Sequence, residues 1–368
     1  MYLVDLSVIN FKNYSSQEFQ FHSNVNAILG RNGTGKTNLL DAIHYLAFTK
    51  SYFSSQDIYS VKNEEDFFAI HGHFHRFEIP ENSTKISCTY KNNRKTMKAN
   101  QKEYNRLSDH YGLYPLVMIS PYDHDIINEG SDVRRKFFDM IISQIDKEYL
   151  QHLIRYQKLL TQKNITLKQL LAREHQNYSL LEIYNEQLSP LANKIFNKRK
   201  EFIHELSPGF EQYYRYISNG NETVEIRYQS QLENESFDKG IGLAQQTDIQ
   251  TGYSTFGTHR DDFNFIINNK PLKRFGSQGQ QKSFALAIKL AQFDFIYEKK
   301  KIKPLLLLDD IFDKLDPFRS NQLITLVGEH HFGQVFLTDT DPNRVEKIFE
   351  EHQIPHHIIL VEQLEQKT

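Results

Sequence analysis

Gly30–Arg31–Asn32–Gly33–Thr34–Gly35–Lys36–Thr37 fits the pattern G-x-x-x-x-G-K-[ST] at every position. Glycines let backbone N–H groups turn inward around phosphate oxygens. A helix opening at Lys36 points the positive end of its dipole at them. A lysine at this place neutralises the β- and γ-phosphates, and the hydroxyl after it binds Mg²⁺. The cradle then comprises Gly30, Arg31, Asn32, Gly33, Thr34, Gly35 and Asn38 around Lys36 and Thr37. Its chemistry is nucleotide binding, with ATP and Mg²⁺ as ligands.

Such a loop needs a second Mg²⁺ ligand at the end of another strand. Leu305–Leu306–Leu307–Leu308 reads as a strand buried on both faces, and it ends in Asp309–Asp310. Two carboxylates there need a reason, because unpaired buried charge is costly. Asp309 is assigned to Mg²⁺ through water. Asp310 is assigned to orienting or deprotonating the attacking water. Capping of the following turn is the plainer use of the same pair.

Ser277–Gln278–Gly279–Gln280–Gln281 precedes a helical stretch, Lys282–Tyr297. Phe284, Ala287–Ile288, Ala291 and Phe295 form its apolar stripe. Ser277 is a good N-cap, and Gly279 permits close approach of a ligand. Ser277, Gly279 and Gln280 are therefore a second candidate phosphate contact at a helix N-terminus. Alone, the segment would read as an ordinary cap.

These segments need elements to hold them. Alternation at Val4, Leu6 and Val8, near Glu18–Phe21, at Asn24–Leu29, over Ala69–Arg76 and over Lys85–Tyr90 predicts strands. Leu39, Leu40, Ile43 and Leu46–Ala47 predict a helix from Lys36 to about Thr49. From Val133 to about Ser207, apolar residues recur at helical steps with little Pro or Gly. That predicts two or three long helices, paired as an antiparallel arm. Ser218–Asn219–Gly220–Asn221 reads as a turn and Thr223–Tyr228 as a strand. Strands are expected again at Pro304–Leu308 and Gln334–Thr338. The expected organisation is an α/β head from 1–115 and 256–368, with a helical arm inserted at 116–255.

Composition sets the outer limits. The chain has 368 residues, room for two or three domains. Hydrophobic residues are 39% and charged residues 24%, which places it among globular rather than disordered chains. No apolar run approaches the ~18 residues of a membrane-spanning helix. The opening, MYLVDLSVINFKNY, lacks a signal-peptide layout. Cys88 is the single cysteine, which excludes an intramolecular disulfide and a Cys-based zinc site and implies a reducing cytoplasm. Lys and Arg total 44 against 46 Asp and Glu. The balance argues against a uniformly basic nucleic-acid coat but allows a local basic face.

The order of phosphate loop, Ser-x-Gly-Gln-Gln helix and acidic strand end resembles that of ABC-type ATPases. In that class the second element caps the γ-phosphate of a nucleotide held by another subunit. More specifically, the chain resembles the RecF family of that class, which is grouped with the heads of SMC proteins. The resemblance is carried by Leu6 with Asn10–Phe11–Lys12–Asn13–Tyr14, by Gly30–Leu40 and by Pro121–Asp139. Arg155–Tyr156, Gln162–Lys163–Asn164 and Gly257–Phe263 continue it, as do SQGQQKSFALAIKLAQ and LLLLDDIFDKLD. It implies an ABC-type, SMC-head-like P-loop ATPase with an inserted helical arm.

The resemblance also exposes departures. Lys50–Ser51–Tyr52–Phe53 stands where the family usually has Arg-Ser-Phe-Arg. Asp310 stands where ABC ATPases usually have Glu, which predicts slow hydrolysis. Thr338 or Asp339 replaces the switch histidine of transport ATPases. Ser120–Tyr122 is the region that corresponds to their glutamine loop.

Lys91, Arg94, Lys95, Lys98 and Lys102 form one basic cluster, and Arg134, Arg135 and Lys136 another. Arg155, Lys158, Lys163 and Lys168 lie along the arm. Phosphate contacts from such groups give sequence-independent DNA binding. Lys91, Arg94, Lys95, Arg134 and Arg135 are the candidate DNA contacts, with a solvated surface as the alternative. Lys299–Lys301 with Lys303 reads as a solvated connector. His71, His73 and His75 alternate on one strand face and read as water-facing, with a metal site as the sharper alternative. His259–Arg260–Asp261–Asp262 reads as an ion-pair network or as a nucleotide or DNA contact. Asp313 and Asp316 match a loop that crosses the dimer in related ATPases, or cap a helix at Asp316–Pro317.

The function implied is an ATP-gated DNA clamp or loader. Two subunits would close on two ATP molecules, bind gapped, junction-containing or double-stranded DNA, and reopen after hydrolysis. RecR and RecO would be partners, and RecA would be helped to replace single-strand-binding protein. The location would be cytoplasmic and nucleoid-associated, without a membrane partner. An ABC transport subunit is disfavoured by the arm and the missing histidine. An SMC fragment is disfavoured by the arm's short length. A structural clamp for which ATP is only a ligand stays open through Asp310.

Overall fold

The structure, a computed structural model, describes residues 1–75, 83–172, 178–218, 220 and 222–362, apart from the side chains of Asp313 and Lys314. Arg76, Asn219, Asn221 and the side chain of Asp313, all named above, lie outside the described residues.

The strands in chain order are β1 Tyr2–Phe11, β2 Tyr14–Gln20, β3 Val25–Leu29, β4 Phe67–His75, β5 Ser83–Lys91, β6 Arg94–Ala99 and β7 Lys102–Glu103. They continue as β8 Leu116–Ile119, β9 Val224–Gln229, β10 Asp262–Ile267, β11 Lys270–Pro271, β12 Leu305–Leu308, β13 Val335–Asp339 and β14 His356–Leu360. The longer helices are α1 Lys36–Phe48, α2 Ser131–Ile145, α3 Lys147–Leu171, α4 Ser179–Ser218, α5 Phe237–Thr251, α6 Gln278–Lys300, α7 Pro317–Gly328 and α8 Pro342–Glu351.

Two compact units divide the chain. The first comprises Met1–Asp123, Tyr216–Asn219 and Lys282–Thr368, and the second His124–Arg215 and Gly220–Gln281. Residues 116–123, expected with the arm, fall in the first unit because β8 pairs with β12. Residues 256–281, expected with the head, fall in the second because β10 pairs with β9.

In the first unit, an antiparallel sheet of order β2-β1-β4-β5-β6-β7 and a parallel sheet of order β14-β3-β13-β12-β8 enclose α1. The apolar spacing of α1 predicted one buried stripe. With a sheet on each side, every residue from Leu39 to Phe48 is buried. Two polar residues are carried inside with them. Asp41 pairs with Lys12 at 2.6 Å and accepts from the Ser51 hydroxyl at 2.7 Å. Burial pushes His44 down to about 4, so its imidazole is neutral.

β12 is buried at all four leucines, as its composition predicts. The carboxyl ends of the parallel strands gather Gly30, Ser120, Asp309 and Asp339 at one edge, where open α/β sheets place their ligands. On β4, Ile70, Gly72 and Phe74 face the core, and His71, His73 and His75 are half-exposed on the other face. His73 Nδ1 lies 2.7 Å from Asp5 Oδ1. Among the described residues, no group of three or more His, Cys, Asp or Glu could hold a metal.

In the second unit α3 and α4 run antiparallel. Leu167 and Leu170 pack with Leu181, and Lys194 reaches back to Glu148. A buried polar cluster ties α2, α4 and the start of β10 together. Arg199 donates to Asp139 at 2.8 Å and to Asp261 at 2.7 Å. Tyr228 donates to the same Asp261 carboxylate at 2.5 Å. Arg134 makes a two-pronged pair with Asp262, and Arg135 donates to the Asp261 carbonyl at 2.6 Å. Of the segment His259–Asp262, the two aspartates are thus ion-paired with Arg199 and Arg134, whereas Arg260 donates to the Ser254 carbonyl at 2.9 Å and His259 lies between that carbonyl and the Tyr156 hydroxyl. Among the described residues, no helix is long and apolar enough to cross a membrane.

Candidate nucleotide-binding site

The phosphate loop joins β3 to α1 in a conformation only glycine tolerates at two points. A Cβ on Gly30 would stand 2.4 Å from the Val361 carbonyl oxygen. Gly35 has φ +115°, and a Cβ there would meet Asn13 Nδ2 at 2.5 Å. α1 begins without a side-chain cap, so its first N–H groups are left for an anion.

Lys36 is buried and folds back over the loop. Its ammonium donates to the carbonyls of Gly30 at 2.9 Å and Arg31 at 3.1 Å, both neutral acceptors. Arg31, Asn32 and Gly33 are exposed at the rim.

The strand order places β13 between the loop strand and the acidic strand. Thr37 of α1 spans the gap and donates to Asp309 Oδ1 at 2.9 Å. Thr338, at the end of β13, has its hydroxyl 3.0 Å from the same oxygen and 3.4 Å from Asp310 Oδ1. The Asp310 amide in turn donates to Thr338 Oγ1 at 2.8 Å. Asp310 has φ +43°, a strained conformation for a residue with a side chain. Thr338 thereby holds both carboxylates, whereas Asp339 is clamped by Arg344 at 2.7 and 2.8 Å. Of the two residues considered in place of a switch histidine, only Thr338 faces the acidic pair.

Burial raises the Asp309 carboxyl above its ordinary range, and neighbouring Asp310 adds to the effect. Hydrogen bonds from Thr37 and Thr338 and the charge of Lys36 oppose it. A divalent cation would relieve a carboxylate in that state. The donors offered, a hydroxyl and a carboxylate, are hard oxygens that suit Mg²⁺, which keeps waters and binds substrate phosphates for the rest.

Of the residues that brace the loop, sequence reasoning placed Asn38 in the cradle and gave Asn13 and Tyr14 no role. Asn13 Nδ2 donates to the Thr34 carbonyl at 2.8 Å, and Asn38 donates to Asn13 Oδ1 at 2.8 Å. Tyr14 donates to the Gly35 carbonyl at 3.0 Å. The signal available was the polar turn Lys12–Asn13 directly after the alternating strand Tyr2–Phe11. A second group secures the neighbouring strand end. Lys289 pairs with Asp123 at 2.9 Å and donates to the Met118 carbonyl at 2.7 Å, while Asp123 accepts from Ser120 N and Tyr52 Oη. Tyr52 of the departing Lys50–Phe53 segment is therefore a packing partner at the Ser120 turn.

Ser277, in the second unit, caps the start of α6 through a reciprocal box. Gln280 N donates to Ser277 Oγ at 3.2 Å, and Ser277 N donates to Gln280 Oε1 at 2.8 Å. Ser277 is exposed, and Gly279 and Gln280 are half-buried. The helix begins at Gln278 rather than Lys282 and is buried on every side from Ser283 to Phe293. Asp316 caps α7 by accepting from Arg319 N at 3.2 Å, with Pro317 in the first turn.

The basic residues separate. Lys91 and Arg94 face solvent, whereas Lys95 lies on the other face of β6, paired with Asp57 at 2.8 Å. Arg134 and Arg135 are engaged in the second unit's own network. Lys163 is buried against Asp248 at 3.2 Å rather than displayed on the arm. It shares the helix face of Tyr156, Leu159, Leu160, Leu167 and Leu170, a spacing visible in the sequence. Lys95, Lys163, Arg134 and Arg135 thus each have a partner within the protein, whereas Lys91 and Arg94 lie at the surface.

The profile of the RecF/RecN/SMC N terminal domain matches residues 2–357. DNA replication and repair protein RecF of Flavobacterium johnsoniae is 44% identical over 353 residues, covering 95% of this chain and 96% of the relative. Its counterpart in Phocaeicola vulgatus is 42% identical over 363 residues, covering 98% and 97%. The solved structure of the recombination mediator protein RecF-ATPrS in the RecFOR pathway superposes with TM-score 0.86 at 30% identity, covering 99% of this chain and 98% of that one. The Smc head domain of Pyrococcus furiosus shares the fold, with TM-score 0.57 at 18% identity over 99% of this chain and 94% of that one. The fold is that of an ABC-type, SMC-head-like P-loop ATPase, and the chain belongs to the RecF family.

Proposed function

We propose that the protein is an ATP-dependent DNA-binding ATPase of recombinational repair, closing as a homodimer on double-stranded or gapped DNA. The observation that carries this reading is the pairing of two half-sites in one chain. One is the Lys36–Thr37–Asp309 cluster, and the other is the exposed Ser277 box. The relatives named as DNA replication and repair proteins, and the solved recombination mediator of the RecFOR pathway, support the biological setting. With RecO and RecR as partners, the dimer would promote RecA loading.

Lys36 leaves its two loop carbonyls for the β- and γ-phosphates of ATP. Thr37 and Asp309 hold Mg²⁺, which supplies charge neutralisation at the phosphate oxygens. Asp310 orients the attacking water and accepts its proton, while Thr338 keeps Asp309 and Asp310 in register. Ser277, Gly279 and Gln280 contact the γ-phosphate bound by the other subunit. Closure is favoured because ATP binds only the closed pair at both halves. The short Asp310 side chain makes turnover slow, and hydrolysis resets the clamp.

The test is solution mass with Mg-ATP, with ADP and without nucleotide, for wild type, Lys36→Ala and Ser277→Arg. A dimer is expected with ATP only. Lys36→Ala loses nucleotide binding, and Ser277→Arg binds ATP but stays monomeric. A wild-type monomer under all three conditions overturns the clamp. A purely structural clamp is separated by turnover with and without DNA, since it predicts no DNA stimulation.

A further inference from the structure

We propose that the solvent face of the antiparallel sheet, over β5 and β6, seats the backbone of duplex DNA. The proposal rests on the DNA-binding reading above and assigns it a surface. Side chains alternate across a strand, so register decides which cations share a face. Lys91 pairs with Arg94, Thr89 with Thr96 and Ser87 with Lys98. On β4, His73 pairs with Lys85. Lys85, Lys91, Arg94 and Lys98 therefore stand on one face with Thr89 and Thr96 between them. Ile86, Cys88, Tyr90 and Met97 point into the core.

The arrangement has the features of a phosphate track. Residues two apart on a strand recur every ~7 Å, so Arg94 and Lys98 are ~13 Å apart and Lys85 and Lys91 ~20 Å. A shallow groove of about 260 Å³ is lined by Thr89, Lys91, Arg94, Thr96, Lys98 and Glu103. The lysines act as point charges, Arg94 offers a fork to one phosphate, and the threonine hydroxyls are neutral donors. Two of the cations have partners, Lys91 with Asp66 at 3.6 Å and Arg94 with Glu103 at 3.3 Å. Both pairs are exposed, a setting in which ion pairs contribute little and exchange readily. On this face β5 and β6 carry no aromatic residue, and β4 contributes one half-buried ring, Phe67, which lies 5.4 Å from the Lys91 ammonium. Single strands are held by successive bases stacking on several aromatic side chains, and one half-buried ring makes no such platform, so the occupant is a duplex, gripped without reading its sequence.

The test is equilibrium binding of a labelled duplex of arbitrary sequence, with Mg-ATP, between about 50 and about 200 mM salt. The full-length protein is compared with Lys91→Ala/Arg94→Ala/Lys98→Ala, Glu103→Gln and Lys347→Ala, an exposed lysine elsewhere in the first unit. The triple variant is expected to bind roughly tenfold or more weakly at low salt. Its log K against log salt should be shallower by ~2.7, about 0.9 per lost phosphate contact. Glu103→Gln should bind more tightly, and Lys347→Ala should match wild type. ATP binding by all variants should be unchanged, which confirms folding. An unchanged slope in the triple variant, or a single strand that binds as tightly with the same dependence on these residues, overturns the proposal. A wild type that binds no duplex overturns the DNA-binding function itself.

Discussion

The Thr338 hydroxyl lies 3.0 Å from Asp309 Oδ1 and is the acceptor for the next residue's amide, Asp310 N–H, at 2.8 Å. One side chain on the strand between loop and acidic pair therefore sets the geometry of both carboxylates. Thr338→Val keeps the shape but removes the hydroxyl. We expect ATP affinity within about twofold of wild type and turnover lower by roughly 10–100-fold, because the loss falls on positioning for the transition state. Thr338→Ser should recover most of the rate. Single-turnover hydrolysis beside nucleotide binding checks this, and equal losses in both would refute it.

Asp309 holds a buried carboxyl whose proton affinity is raised in the folded state. The folded protein then binds more protons than the unfolded chain between the ordinary carboxyl range and the raised value. Stability therefore falls as pH rises through that window and stays lower above it. Asp309→Asn removes this penalty while its Oδ1 still accepts from Thr37 and Thr338. Without nucleotide and Mg²⁺, the variant should melt a few degrees higher than wild type at neutral pH. Below the window the difference should vanish. The same variant should lose Mg²⁺-dependent ATP turnover. Thermal melts over pH, with and without Mg-ATP, read both effects.

Asn13 braces the phosphate loop from the end of β1 through Thr34 and Asn38. Asn13→Ala removes two hydrogen bonds, at about 1 kcal/mol each net. Part of that cost appears as weaker nucleotide binding, since the loop must be reordered on binding. The dissociation constant for ATP should rise roughly tenfold, with Mg²⁺ dependence retained. Titration calorimetry measures it, and an unchanged constant would limit Asn13 to a stabilising role.

Arg199 stands between two buried carboxylates, Asp139 and Asp261. Arg199→Leu leaves both without their cation, and breaking a buried pair this way costs about 3–5 kcal/mol. Lysine should rescue poorly, because it cannot fork between the two. Denaturant unfolding checks the size, and a loss under about 1 kcal/mol would show that the carboxylates find other partners.

Much of the site was legible in the chain. The loop from Gly30 to Thr37 is local chemistry, since consecutive backbone groups and the helix after them make the cradle. The four leucines before Asp309 declared a strand buried on both faces. Ser277 and Gln280 share a helix turn, so their reciprocal cap could be read from spacing. Lys163 was legible too, because its helical spacing put it among leucines, but its charge suggested the surface.

What only the tertiary structure decided is which distant residues meet. The strand order put β13 between loop and acidic strand, so Thr338 rather than Asp339 came to hold the carboxylates. A sheet on each face of α1 buried Asp41 and His44, which no single-helix pattern foretells. Pairing register put Lys91 with Arg94 on the solvent face and turned Lys95 inward to Asp57. Arg134 found the carboxylate of Asp262 and Arg135 the backbone carbonyl of Asp261, both more than a hundred residues away. Sequence periodicity fixes which residues share the face of one element. The partner across that face is set by long-range packing, and there the roles of the single charges were decided.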